Sequence, residues 1–248
     1  MKPDYFLSRK SCRNFKTDKI SDTLLEDIIS QASKSPTCGN MQLYSVVVTS
    51  EPDNLKKMAA FHYNQPAATS APCILTVCAD FNRFSEWCKS NNADAGFDNF
   101  HSFIMALTDA VIFAQQIVTI AELQGLGTCY LGTVNYNAQE ISQMLQLPAL
   151  VVPVAAIAVG WPAKEGDETK RLPVDAIFHK EVYRHDDAKI IRDFFKVLSE
   201  DDANEKFIAE NGKENIAQVF SEVRYPRSVN EEVSRSFLRL LKEKGFMY

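Results

Sequence analysis

Apolar residues follow two alternating rhythms along this chain, a helical period and short unbroken runs rich in β-branched residues. Leu24, Leu25, Ile28, Ile29 and Ala32 repeat at helical spacing behind Ser21 and Asp22, where Ser21 can cap a helix and Asp22 favours its positive end. That helix should stop before Pro36. Residues 43–49, Leu-Tyr-Ser-Val-Val-Val-Thr, read as a buried strand. A helix is expected over 51–61 from Leu55, Met58, Ala59 and Phe61, then a turn at 62–66 and a second buried strand at 73–79. Residues 81–100 mix aromatics with turn formers and show no period, which predicts a mobile flap or a peripheral excursion. From about His101 to Gln124 apolar residues point nearly all round a long helix, so it should be buried on every side, in a core or against a second subunit. Gly125-Leu126-Gly127 ends it. A short strand, 128–131, leads into Gly132-Thr133, where the backbone can approach something closely.

Asn137 with Glu140 predicts a capping box, and residues 151–159 form a third long buried strand running into Gly160-Trp161-Pro162. From about residue 185 the pattern is helical and more polar. Ile190, Ile191, Phe194, Phe195 and Leu198 make one face, Ser228 with Glu231 predicts a second capping box, and Gly245 should terminate the last helix. Helices alternating with buried strands place the chain in the α+β or α/β class. With no flexible linker or repeat, a single domain is expected, its core at about 1–184 and a helical extension at about 185–248.

The 248 residues, 46% of them hydrophobic, are enough to bury a sizeable core. A net charge of −5 gives no general attraction to nucleic acid or an anionic membrane, so an anionic ligand would need a local basic pocket. No apolar leader opens the chain and no run is expected to span a bilayer, so a cytoplasmic location is expected. The six cysteines show no CxxC pair and read as reduced thiols; Cys73, Cys78 and Cys129 lie in apolar runs as small core residues. Four scattered histidines give no metal-ligand spacing, and no metal site is expected.

Chemistry concentrates in Arg9-Lys10-Ser11-Cys12-Arg13, three cations and a hydroxyl in five positions. Arg offers a planar fork to phosphate oxygens, Lys a point charge and Ser a short donor. A solvated basic face is the plainer alternative. If exposed, Cys12 would have its pKa depressed by these neighbours. A further cationic pair, Lys170-Arg171, follows the third long strand, and neither GxGxxG nor GxxxxGK[ST] is present.

RKSCRNF, SPTCGNMQLY, Gln65, GLGTCYLG and GWPAKEGDETKRLP, in that order over residues 5–173, resemble the FMN-dependent nitroreductase family. The last segment and the long tail are similar to its larger NADPH-type, oxygen-insensitive group. The resemblance implies an α+β nitroreductase-like fold: a central, mainly antiparallel sheet flanked by helices, a long buried central helix and a C-terminal helical extension. It also implies a homodimer with FMN at the interface. Arg9, Lys10 and Ser11 then match the residues holding the FMN phosphate and ribityl chain, and Arg171 the second phosphate cation. Arg13 matches the cation beside the N1/O2 edge of the ring, where a guanidinium stabilises the negative reduced flavin. Pro36, Thr37, Cys38 and Gly39 match a loop supplied by the other subunit, and Gln65 an amide reading the flavin edge. Tyr130, Leu131, Gly132 and Thr133 match the strand end whose N–H groups approach N5.

This chain departs from the family pattern in having Cys38 where small residues are frequent, Thr133 where glycine is frequent, and Thr169 where a lysine precedes Arg171. No arginine stands at about 210–213, which leaves NADH against NADPH open. The activity implied is NAD(P)H-dependent reduction of nitroaromatics, quinones or similar electron-poor acceptors by ping-pong hydride transfer, with the flavin carrying the chemistry. No protein acid or base would be indispensable, and acceptors would stack under residues 81–100. The alternatives are a flavin reductase or other flavin enzyme on the same scaffold, such as a dehalogenase or dehydrogenase, or a non-catalytic flavin-binding module.

Overall fold

In the computed structural model, which describes residues 5–166 and 169–247, β1 (Tyr44–Thr49), β2 (Cys73–Asp80), β3 (Gly127–Tyr130) and β4 (Val151–Gly160) form one antiparallel sheet. Its order is β1-β2-β4-β3. The central strands explain their own composition: every residue of β2 is buried, as is nearly all of β4, so both read as unbroken apolar runs rather than alternating ones. A register shift between Val77 and Cys78 interrupts their pairing.

Around the sheet lie α1 (Tyr5–Ser8), α2 (Asp22–Ala32), α3 (Pro52–Phe61), α4 (Pro66–Ser70), α5 (Asn82–Ser90), α6 (Phe100–Leu123) and α7 (Ala138–Met144). Ser21 caps α2 by accepting from the Leu24 N–H. Ala106, Ala110, Phe113, Ala114, Ile117, Val118 and Ala121 form the buried face of α6, and Tyr44 stacks on Phe113 at 4.0 Å. The other face is not covered: Phe100, Ile104, Val111, Ile112 and Leu123 are exposed, so burial on every side holds for only half of this helix. By length and composition α6 could also cross a bilayer, against expectation, although it is the core helix of this fold and buries Asp109.

Two local expectations fail for identifiable reasons. Part of residues 81–100 is helical: in α5 the aromatic face is short, but Phe81 is fully buried and stacks on Phe97 at 4.5 Å, with Phe84 edge-on to both. Asn137 does not close a capping box, because its Nδ2 donates to the Phe61 carbonyl at 2.6 Å.

The chain divides into two compact units, Met1–Asp167 with Val233–Tyr248, and Glu168–Glu232. The second unit contains α8 (Ala188–Ser199), α9 (Asp202–Glu210), α10 (Ile216–Gln218) and a π-helical turn at Val219–Arg224. Asp187 caps α8 through the Lys189 and Ile190 N–H groups, and the Arg224 guanidinium sits 4.3 Å over the Phe207 ring. α11 (Arg227–Glu243) starts before the expected cap, so Ser228 is inside it and Glu231 instead pairs with Arg227 at 2.7 Å. The C-terminal region from α8 onward is helical, as expected. Leu240, Leu241 and Phe246 return to the first unit, buried with Leu43, Phe81 and Phe103.

Candidate functional site

The basic strip is fastened to one edge of the sheet. The Cys12 N–H donates to the Thr128 carbonyl of β3 at 2.9 Å, Lys16 N–H to Trp161 O at 2.8 Å, and Ala163 N–H to Asn14 O at 3.1 Å. Two glycines permit this approach. A Cβ at Gly127 would lie 2.5 Å from the Cys12 Cβ, and one at Gly160 would lie 2.9 Å from Phe15 Cδ1. Phe15 and Cys12 are buried on the strip's inner side, while Arg13 is exposed. Burial pushes the Cys12 thiol up, the reverse of the depression its cationic neighbours would cause in solvent. Cys73, Cys78 and Cys129 are buried as expected, and desolvation pushes the first two up to about 12.

Two carboxylates that sequence reasoning missed organise the cations. Glu122, at the end of α6, lies 3.1 Å from Arg9 Nη2 and accepts from the Tyr5 hydroxyl at 2.6 Å and the Thr128 hydroxyl at 2.5 Å. Desolvation, then the bond to Glu122, pushes the Tyr5 phenol up to about 12. Lys10 Nζ meets Glu165 at 2.7 Å, and that bond holds the exposed Glu165 carboxyl below its ordinary range. The Ser11 carbonyl packs so closely on Gly166 that a Cβ there would lie 2.4 Å from it. Arg13 has no side-chain hydrogen bond or ion pair among the described residues.

Beyond β3, the Leu131 N–H donates to Ala156 O at 2.8 Å, which buries Leu131 and turns the chain outward at Gly132. Gly132 begins a 3₁₀ turn, Gly132–Asn135, and beyond its chain neighbours no atom of the described residues lies within 4 Å of where its Cβ would stand. Gln65 Nε2 donates to the Thr133 hydroxyl at 3.0 Å, and His62 Nδ1 lies 2.8 Å from the same oxygen. His62, also missed from sequence, is fully buried, and desolvation pulls its pKa down to about 4. Its Nε2 has no partner among the described residues. Tyr130, partly exposed, has its phenol pushed up to about 12 chiefly by burial.

The loop of Pro36, Thr37, Cys38 and Gly39 is anchored elsewhere. Asp109, a third missed residue, is 2% exposed and accepts from the Cys38 N–H at 2.9 Å and the Leu43 N–H at 3.2 Å. Gly39 adopts φ 55°, a left-handed conformation that glycine takes readily. A cleft of about 350 Å³ lies between this loop and α6, lined by Pro36, Thr37, Cys38, Ile104, Thr108 and Ile112 among others. This loop leads into β1, whereas the basic strip lies along β3. These are the opposite edges of the sheet, about 14 Å apart at ordinary strand spacing. Arg9, Lys10, Ser11, Arg13, Gln65, Tyr130, Leu131, Gly132 and Thr133 thus gather on one edge, and Pro36–Gly39 on the other. Arg171 belongs to the second unit, where its guanidinium donates to the Thr169 and Lys170 carbonyls at 3.2 and 3.3 Å.

The antiparallel sheet, its long helix and the cationic strip fastened to β3 define an α+β protein with a candidate anion-binding site. The profile of the Nitroreductase family matches residues 7–161, and the chain belongs to that family. It is 30% identical over 189 residues to "FMN reductase [NAD(P)H]" of Bacillus subtilis, covering 72% of each chain. It is 27% identical to "Oxygen-insensitive NADPH nitroreductase" of Salmonella typhimurium over 77% of this chain and 78% of the relative. A crystallised Bacteroides fragilis protein provisionally assigned as an oxidoreductase superposes with a TM-score of 0.96 and 40% identity, covering 99% of this chain and 100% of that one.

Proposed function

We propose that the chain carries FMN on the β3 edge and reduces nitroaromatics, quinones or similar electron-poor acceptors with NADPH or NADH in a ping-pong cycle. It is an NAD(P)H-dependent oxidoreductase of the flavin class, in keeping with its family and relatives. The observation that carries the reading is the 2.9 Å bond from Cys12 N–H to Thr128 O, which fastens the strip of three cations to the strand that leads into the Gly132 turn.

The donor set fits FMN. Arg9, Lys10 and Ser11 would hold its phosphate and ribityl chain. Glu122 and Glu165 keep Arg9 and Lys10 in place without a ligand. Arg13, with no internal partner among the described residues, offers its guanidinium to the negative edge of the ring. Gln65 and the outward turn of Tyr130 to Thr133 line the same place. FMN, when bound, supplies a ring that accepts and returns a hydride; the residues around it bind, orient and polarise.

A homodimer completes this arrangement. Loop 36–39 cannot reach the β3 edge of its own sheet without crossing β2 and β4, but a second copy could bring its loop there. The exposed apolar residues of α6 next to that loop, Ile104 and Ile112, give such a copy a surface to cover. A cytoplasmic setting supplies the nicotinamide donor.

The test is the chromophore. Protein purified without added cofactor should be yellow and release FMN on heating, identified by chromatography. Release of FAD, or a colourless protein that FMN does not load, would overturn the reading.

A further inference from the structure

We propose that the Thr133 hydroxyl is a hydrogen-bond donor to the bound flavin and that buried His62, together with Gln65, is the positioning pair that leaves its proton free for that purpose. This rests on the flavin reading above. A threonine hydroxyl has one proton and two acceptor positions. Gln65 Nε2, at 3.0 Å, fills the first. His62 Nδ1, at 2.8 Å, either takes the hydroxyl proton or fills the second.

Burial decides between these. Were Thr133 to donate to Nδ1, the neutral ring would carry its own proton on Nε2, which on this fully buried residue has no partner among the described residues. Among buried backbone groups an orphaned N–H is rarer than an under-satisfied acceptor, and the same preference is applied to the ring. The opposite tautomer places the proton on Nδ1, directs it at Thr133 and leaves only a bare lone pair on Nε2. Both acceptor positions of Thr133 are then occupied, and its proton has no acceptor among the described residues. The residue is partly exposed and adjoins Gly132, where a Cβ would meet nothing beyond its chain neighbours, and we assign that proton to the cofactor there. Glycine, which the family resemblance places at 133, would leave His62 Nδ1 and Gln65 Nε2 without this shared partner.

Two measurements test the inference. Imidazole ¹⁵N shifts of His62 in the unaltered protein should report the Nδ1–H tautomer; an Nε2–H tautomer would overturn it. In FMN titrations followed by flavin fluorescence, Thr133→Val should weaken binding about fivefold, the worth of one ordinary hydrogen bond, and shift the visible flavin bands. Thr133→Ser should retain both properties. His62→Asn, which keeps an amide N–H near the Nδ1 position, should bind FMN more tightly than His62→Phe. Unchanged affinity and spectrum in Thr133→Val would overturn the donor role. If the unaltered protein bound no FMN, the flavin reading and the donor role would fall together, while the tautomer would still decide whether His62 is the donor to Thr133.

Discussion

Arg9 Nη2 stands 3.1 Å from Glu122, and the same carboxylate holds the Tyr5 and Thr128 hydroxyls. One acidic side chain at the end of α6 therefore ties α1, the basic strip and β3 together. Glu122→Gln keeps the shape but loses the charge shared by three donors, and should lower unfolding free energy by about 1–3 kcal/mol in urea titrations. The Tyr5 phenol, held up to about 12 in part by Glu122, should titrate at lower pH in ultraviolet difference spectra, with burial alone keeping it above the ordinary tyrosine value.

Asp109 gives the loop of the opposite edge its form. Asp109→Asn can accept from only one of the Cys38 and Leu43 N–H groups well and turns an amide donor toward the other. A loss of about 2–3 kcal/mol is expected. Amide hydrogen exchange at Cys38 and Leu43 should accelerate before that of the central strands. Equal protection in the variant would mean the loop holds itself.

His62 fixes a pH dependence. Its folded pKa of about 4 lies below the ordinary 6.5, so between those values the unfolded chain binds the extra proton and acid favours unfolding. Stability should fall as pH drops from 6.5 toward 4, with His62 contributing a loss of up to about 3 kcal/mol that is complete below pH 4. Urea titrations of the unaltered protein and His62→Asn across this range measure the difference. Parallel curves would show that His62 is not buried in its neutral form.

The strands and most helices were legible because burial on both faces writes itself as apolar runs and one-sided burial as a helical period. The basic strip and the glycines at 127 and 160 were legible as motifs, and their close approach to Cys12 and Phe15 explains why side chains are excluded there. The partners of the cations were not. Glu122 and Arg9 are far apart in sequence, as are Asp109 and Cys38, and only folding brings them together. Asp109 did leave a signal: an acid inside the most apolar helix must find buried donors. α5 was hidden because its aromatic face is too short to show a period, and Ser228 resembled a cap because Glu231 follows at capping distance, although that side chain turns to Arg227.

Arg13 should tune the flavin. Arg13→Ala removes a cation that has no internal partner among the described residues, so the fold should keep its stability within about 0.5 kcal/mol. The midpoint potential of bound FMN should become more negative, because the reduced ring loses stabilisation of its charge. Spectroelectrochemistry checks this, and an unchanged potential would move Arg13 away from the ring.

The central claim is that flavin held on this edge is reduced by a nicotinamide and reoxidised by an electron-poor acceptor. Anaerobic stopped-flow mixing of the flavin-loaded protein with NADPH, and separately with NADH, tests it most directly. The flavin absorbance should bleach with at least one donor in the absence of acceptor, then return when a quinone or nitroaromatic is added. A flavin that stays oxidised with both donors would contradict the account and leave only a binding protein.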